Sequence, residues 1–232
     1  MDDDRSHLEP SPFGTIPTSV LAIFFVIFGI ECLFAGAEAG LFGGPTAIGW
    51  RLGAMETYGF SPLVFDWMFS TWQFPGEHLL RFLTYPFLHY GFVHMIFAAV
   101  IFLAMGKYVG EAMGGWTVPV LFFACTILGA SIFALIVGDA RGVLVGAYPG
   151  AYGLIGAFTF VLWVRARATG GAQLQAFSLI GFLMGIQLIF GVLFGTDNTW
   201  IAELAGFCVG FVLSFVLVPG GVQFLLRKLR GE

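Results

Sequence analysis

Four ionisable side chains lie within otherwise apolar stretches of this 232-residue chain: Glu31, His89, His94 and Glu203. Such groups are costly in a hydrophobic environment and commonly mark a functional site. A glutamate near histidines can serve general acid–base chemistry. Two imidazoles and a carboxylate also form a plausible zinc ligand set, which makes His89, His94 and Glu203 a candidate metal site. The interval from His89 to His94 is not the helical i, i+4 pair that metal helices use. The plainer expectation is a buried carboxylate satisfied by a neighbouring hydroxyl or imidazole. Glu31 is read as joining a polar network with another span or the outer loop, with a protonatable functional group or a partner contact as alternatives, and a snorkelling or hydrogen-bonded glutamate near the membrane surface as the plainer expectation.

The elements that must position these groups are membrane helices. The chain is 58% hydrophobic and only 10% charged, whereas a soluble domain carries about 25% charged residues. Phe (28 residues) and Gly (33) are both in excess, as expected of lipid-facing bulk and of small residues at helix contacts. A formal net charge of −4 gives no footing for nucleic acid. Cys32, Cys125 and Cys208 have no metal-ligand spacing and are expected as buried free thiols. The acidic start MDDDRSHLEPSP lacks the positive n-region of a secretory signal, so the first apolar run is read as a retained helix.

Spans need about 20 mostly apolar residues. Six segments approximate this: Pro17 to Ala37, Gly91 to Val109, Val118 to Val137, Gly150 to Val164, Leu174 to Gly195 and Trp200 to Val218. The fourth is short and is expected to start deep or to break near Pro149. Residues 40–90 mix Trp50, Trp67 and Trp72 with Arg51, Asp66, Glu77 and Arg81, a composition suited to short helices at a membrane interface. The domain reading is a polar tail 1–16, a membrane domain 17–218 with an outer interfacial segment 40–90, and a basic tail 219–232. Lys107 is read in the loop between spans two and three, Arg165 and Arg167 between spans four and five, Arg227, Lys228 and Arg230 after the sixth and Arg5 before the first, all on one side of six spans, with Arg51, Arg81 and Arg141 on the other. This bias places both termini in the cytoplasm.

Glycines recur at packing intervals: Gly150, Gly153 and Gly156; Gly181 and Gly185; Gly191 and Gly195; Gly206 and Gly210. Ala202, Gly206, Gly210 and Ser214 form a small-residue stripe, which lets helix backbones approach in lipid.

Three segments carry a resemblance to the rhomboid intramembrane protease family. Residues 79–114 contain Arg81, His89, His94, Gly106, Lys107 and Tyr108 in the order and spacing of the rhomboid second span. Residues 145–157, VGAYPGAYGLIGA, resemble the Gly-x-Ser-Gly turn and following Gly-rich helix, with Gly146, Gly153, Gly156 and Ala157 matching. Residues 202–210, AELAGFCVG, resemble the Ala-His-x-x-Gly-x-x-x-Gly segment through Gly206 and Gly210. The departures fall where the chemistry resides. The serine position is Tyr148 and the following glycine is Pro149; the histidine is Glu203; the asparagine four residues after the second histidine is Ala98.

The resemblance implies an all-α six-helix bundle in which Tyr148, His94 and Glu203 face one cavity. It also implies loss of the serine reaction, because a tyrosine phenol lies further from the backbone than a serine hydroxyl and Pro149 removes a backbone donor. Relatives recognise transmembrane helices laterally. The expected function is therefore non-enzymatic: binding, stabilising or assembling another integral membrane protein in a bacterial inner membrane. A membrane hydrolase of altered chemistry and a small transporter or channel are the alternatives. No cofactor is expected, and the partners are membrane lipids and a transmembrane protein or complex.

Overall fold

The computed structural model describes residues 16–138, 142–194, 198–218 and 220–221. The polar N-terminal tail up to residue 15, Arg141, Gly195 and the basic tail from residue 222 lie outside the described residues. The described chain is helical: α1 (Thr18–Glu38), α2 (Trp50–Tyr58), α3 (Pro62–Thr71), α4 (Gly76–Thr84), α5 (Phe92–Met113), α6 (Thr117–Val137), α7 (Tyr148–Thr169), α8 (Ser178–Phe194) and α9 (Trp200–Leu217). Short 3-10 turns at Pro45–Gly49, Tyr85–Phe87 and Gln173–Phe177 join them. Among the described residues four helices, α1, α5, α6 and α9, are long and apolar enough to cross a membrane.

α7 is 22 residues long but less apolar, and its burial explains why. Every residue from Pro149 to Ala157 is buried, so this first half of the helix meets protein on all sides rather than lipid. Small residues there serve contact, and bulk would obstruct it. α7 packs against α9, α6 and α5. It also starts earlier than the composition suggests, at Tyr148, with Pro149 in its first turn. Proline is tolerated there because first-turn N–H groups have no intrahelical acceptor. There is no break near Pro149.

The central core joins Val20 and Ile27 of α1, Phe102 of α5, Leu121 and Phe122 of α6, and Leu154 of α7. Large apolar side chains such as Phe25 on α1, Leu135 on α6 and Phe182 on α8 stay exposed, as faces directed at lipid require. The same arrangement corrects the expectation of buried cysteines. Cys125 is buried, but Cys32 and Cys208 are exposed, on faces of α1 and α9 that the rest of the described bundle leaves uncovered.

Two further corrections concern charge. Lys107 lies within α5, where it pairs with Glu111 at 3.9 Å, and not in a loop. Arg165 and Arg167 belong to the last turns of α7. Helices overrun the apolar stretch because amphipathic side chains can carry their charge to the surface.

The interfacial segment forms α2 to α4 and is anchored to the bundle. Ser61 caps α3, its Oγ accepting from the Val64 N–H at 3.4 Å, with Pro62 next. Arg81 donates to the carbonyls of Glu56 and Gly59, both at 2.9 Å, closing the end of α2. Phe60, Phe65 and Tyr85 pack with Phe133 of α6 and Leu144. Phe60 and Leu144 exchange backbone bonds of 3.1 and 2.7 Å, and the Gly146 N–H donates to the Tyr85 carbonyl at 3.0 Å. The chain that enters α7 is therefore fixed before the helix begins. Tyr85 is fully buried, and its hydroxyl donates to the Thr126 carbonyl at 2.8 Å. Burial also holds its phenol above its ordinary pKa, with Cys125 adding to the effect. Tyr85→Phe removes that bond while the carbonyl keeps its place in the α6 helix, and is expected to cost about 1 kcal/mol, measured by denaturation in detergent micelles.

The glycine pairs separate into two kinds. A Cβ on Gly206 would meet the Pro149 backbone, on Gly210 the Gly153 backbone, and on Gly156 the carbonyl of Phe207. One on Gly150 would strike the Phe122 ring, and one on Gly153 the Cys125 side chain. Gly181 and Gly185 have nothing within 4 Å of such a Cβ, so they are not contact glycines among the described residues.

Candidate functional site

A cavity of about 210 Å³ opens at the start of α7, lined by Tyr90, His94, Leu144, Val145, Tyr148, Pro149, Thr199 and Glu203. Tyr148 is the first residue of α7, His94 lies in the first turn of α5, and Glu203 lies in the first turn of α9. Three helix starts thus converge on one space.

The Tyr148 ring lies over His94, with centroids 4.8 Å apart. Its hydroxyl donates to the His94 carbonyl at 3.0 Å, and the expected bond from this hydroxyl to Glu203 gives way to that one. Gly146 makes the approach possible. Its φ is +108°, and a Cβ there would sit 3.0 Å from His94 Cε1 and 3.3 Å from Tyr148 Cδ2. The His94 Nδ1 accepts from the Tyr90 N–H at 3.4 Å, which places the proton of a neutral ring on Nε2. The Tyr90 hydroxyl donates to the Val143 carbonyl at 3.1 Å.

Glu203 is 6% exposed. It accepts from the Gln187 amide of α8 at 2.6 Å, and Tyr152, one turn after Tyr148, directs its hydroxyl to the same carboxylate. An acid in the first turn of a helix also meets the positive end of the helix dipole. These neighbours are donors to the carboxylate.

His89 does not line the cavity. It is fully buried behind it, its Nε2 accepting from the Ala147 N–H at 3.3 Å. The lone pair a metal would need is used there, and no group of three or more His, Cys, Asp or Glu among the described residues is placed to hold a metal ion. The candidate set His89, His94 and Glu203 is not brought together as ligands. Ala98 is also fully buried, in the central core, and contributes nothing to the cavity wall.

Burial, then the charges of His94 and Arg51, depress the His89 pKa from 6.5 to about 3. The folded state therefore binds fewer protons than the unfolded chain between these values. Stability is unaffected by His89 above pH 6.5 and declines as pH falls toward 3. The slope is at most about 1.4 kcal/mol per pH unit. His89→Asn is expected to flatten the pH 4–7 stability profile, measured by thermal unfolding across that range.

Arg51 organises the wall behind His89. All of its donors are used: Nη1 and Nη2 hold Glu31 at 2.9 Å each, Nε and Nη2 hold Glu38 at 2.7 and 3.1 Å, and Nη1 also donates to the His89 carbonyl at 2.8 Å. Burial acts to lower the guanidinium pKa, but the hydrogen bonds it donates to both carboxylates, with their charges, outweigh this and keep it above its ordinary value. Glu31 is thus a clamped ion-pair member, 1% exposed, and not a snorkelling glutamate. Beside this network a separate, wholly apolar groove of about 390 Å³ runs between α1 and the interfacial segment, lined by Ile30, Phe34, Trp50 and Phe87 among others. It holds no polar chemistry.

Tyr90, Tyr152, Gln187, Thr199 and Arg51 are site residues that motif reading passes over. Gln187 had a usable signal, as an amide deep within an apolar span, and Tyr152 stands one helical turn from Tyr148. The described lining contains neither serine nor cysteine. Pro149 offers no N–H, and the phenol protons of Tyr90 and Tyr148 are directed to backbone carbonyls.

No curated protein matches the chain. Residues 76–220, more than half of it, match the family model of the Rhomboid domain, and they contain the helices that build the cavity; this chain belongs to the rhomboid family.

Proposed function

We propose that this protein is a non-catalytic rhomboid that binds, stabilises or helps assemble another integral membrane protein. The observation that carries the reading is the cavity: it is closely built around Tyr148, His94 and Glu203, yet its described wall has no serine or cysteine nucleophile. A rhomboid serine would need the place Tyr148 occupies at the start of α7. The donors that would stabilise an oxyanion are missing at Pro149 and Ala98. Removing one such donor alone costs about 10²–10³ in rate.

Six spans complete the proposal, with α7 and α8 crossing beside α1, α5, α6 and α9. At 1.5 Å per residue α7 is about 33 Å long, enough for a hydrocarbon core of about 30 Å. Its small-residue composition follows from burial. Both termini lie in the cytoplasm of a bacterial cell, and the interfacial segment faces out.

The test is purification of the tagged chain at native abundance from its own membranes in several mild detergents. One membrane protein is expected at constant stoichiometry in each. Recovery as a free monomer in all of them would contradict the reading.

A further inference from the structure

We infer that the cavity at the start of α7 is a binding site for an organic cation, a guanidinium or alkylammonium group. Resting on the function proposed above, its ligand is a basic side chain of the membrane partner.

The argument is one of polarity. An acyl-transfer site must present donors to a developing negative charge. This cavity presents acceptors. The Tyr148 and Tyr90 hydroxyls spend their protons on the carbonyls of His94 and Val143, so neither phenol in the wall holds its proton for an anion. Pro149, in the wall, carries no N–H. Glu203 supplies a carboxylate held by the Gln187 amide at 2.6 Å. No lysine or arginine belongs to the described lining.

The rings matter as much as the charge. Tyr90, His94 and Tyr148 form a contiguous aromatic wall, with centroids 5.3 Å apart for Tyr90 and His94 and 4.8 Å for His94 and Tyr148. Aromatic faces beside a carboxylate are the chemistry that holds guanidinium and ammonium groups. A volume of about 210 Å³ admits such a head group with part of its alkyl stem, but not a folded segment. The apolar share of the wall, Leu144 and Val145, suits that stem.

The experiment uses the full chain in lipid nanodiscs and three probes of equal length: butylguanidinium, neutral butylurea and anionic butylphosphonate, titrated calorimetrically. Butylguanidinium is expected to bind on the order of tenfold more tightly than butylurea, equivalent to about 1.4 kcal/mol, and butylphosphonate not at all. Glu203→Gln keeps a hydrogen-bonding amide and is expected to erase the preference for the cation. Tyr148→Leu is expected to weaken the cation about three- to tenfold by removing a ring face. Equal binding of the cation and the urea, stronger binding of the phosphonate, or no binding of the cation would overturn the assignment on the wild-type chain, whatever the fate of the variants. A preference for the cation that survives Glu203→Gln would overturn it as well. Cation binding without any co-purifying partner supports the site and removes the partner reading. A partner retained in full by a folded Glu203→Gln protein overturns the claim that its basic side chain is the ligand, and leaves partner binding intact.

Discussion

Gly206→Leu is expected to prevent the bundle from forming, and even Gly206→Ala to destabilise it by about 3 kcal/mol or more. At this position α9 lies directly on the start of α7. A Cβ would fall against the Pro149 carbonyl, with the Pro149 carbonyl carbon at 2.9 Å and Cα at 3.2 Å. Those atoms are backbone and cannot rotate away as a side chain would. The better helix propensity of alanine, about 1 kcal/mol, is too small to offset overpacking against a fixed neighbour. Gly210→Ala should behave alike, since its Cβ would sit 2.8 Å from Gly153 Cα. Gly181→Ala is the internal control. It meets nothing and is expected to lie within about 0.5 kcal/mol of wild type. Reversible unfolding in mixed micelles measures the three alanine variants. A Gly206→Ala protein as stable as Gly181→Ala would mean that α7 and α9 are not in backbone contact.

Arg51→Ala is expected to cost about 3–5 kcal/mol, through the charge it abandons more than through the contacts it loses. Glu31 is 1% exposed and accepts from two nitrogens of that one guanidinium. Without Arg51 its carboxylate stays buried and unpaired, and the His89 carbonyl loses its donor. Arg51→Lys should recover only part of the loss, because an ammonium cannot reproduce the fork that reaches Glu31 and Glu38 together. The double variant Arg51→Met with Glu31→Met removes both charges and should be more stable than Arg51→Ala. A double variant no better than the single one would show that the pairing with Glu31 is not what holds this wall.

Hydropathy alone reveals α1, α5, α6 and α9, because each turns a wide face to lipid. It under-reports α7 for a physical reason. A helix enclosed by other helices needs small residues, and glycine lowers hydropathy without making the segment polar. Spacing also fails to separate Gly206 and Gly210, which touch another backbone, from Gly181 and Gly185, which touch nothing. The interval of four is the same; what differs is which face a neighbour covers.

The cavity residues Tyr148, His94 and Glu203 stand out through the rhomboid resemblance and through the cost of charge in a span. Their partners do not. Arg51 lies 20 residues from Glu31 and 38 from His89 along the chain, so no local periodicity links them. The direction of the Tyr148 hydroxyl, to a backbone carbonyl and not to Glu203, depends on the turn at Gly146. A string of residue types does not encode that choice visibly.

The central claim is that this scaffold kept its cavity and lost its proteolytic reaction. The most direct measurement is a cleavage assay in proteoliposomes containing the wild-type chain and a transmembrane substrate, with a fluorophosphonate probe in the same preparation and the labelled site mapped by mass spectrometry. The expected result is intact substrate and no labelling. Substrate cleavage accompanied by stoichiometric labelling in the cavity, with Thr199 as the aliphatic hydroxyl on its described wall, and with both signals lost in Glu203→Gln, would contradict the account.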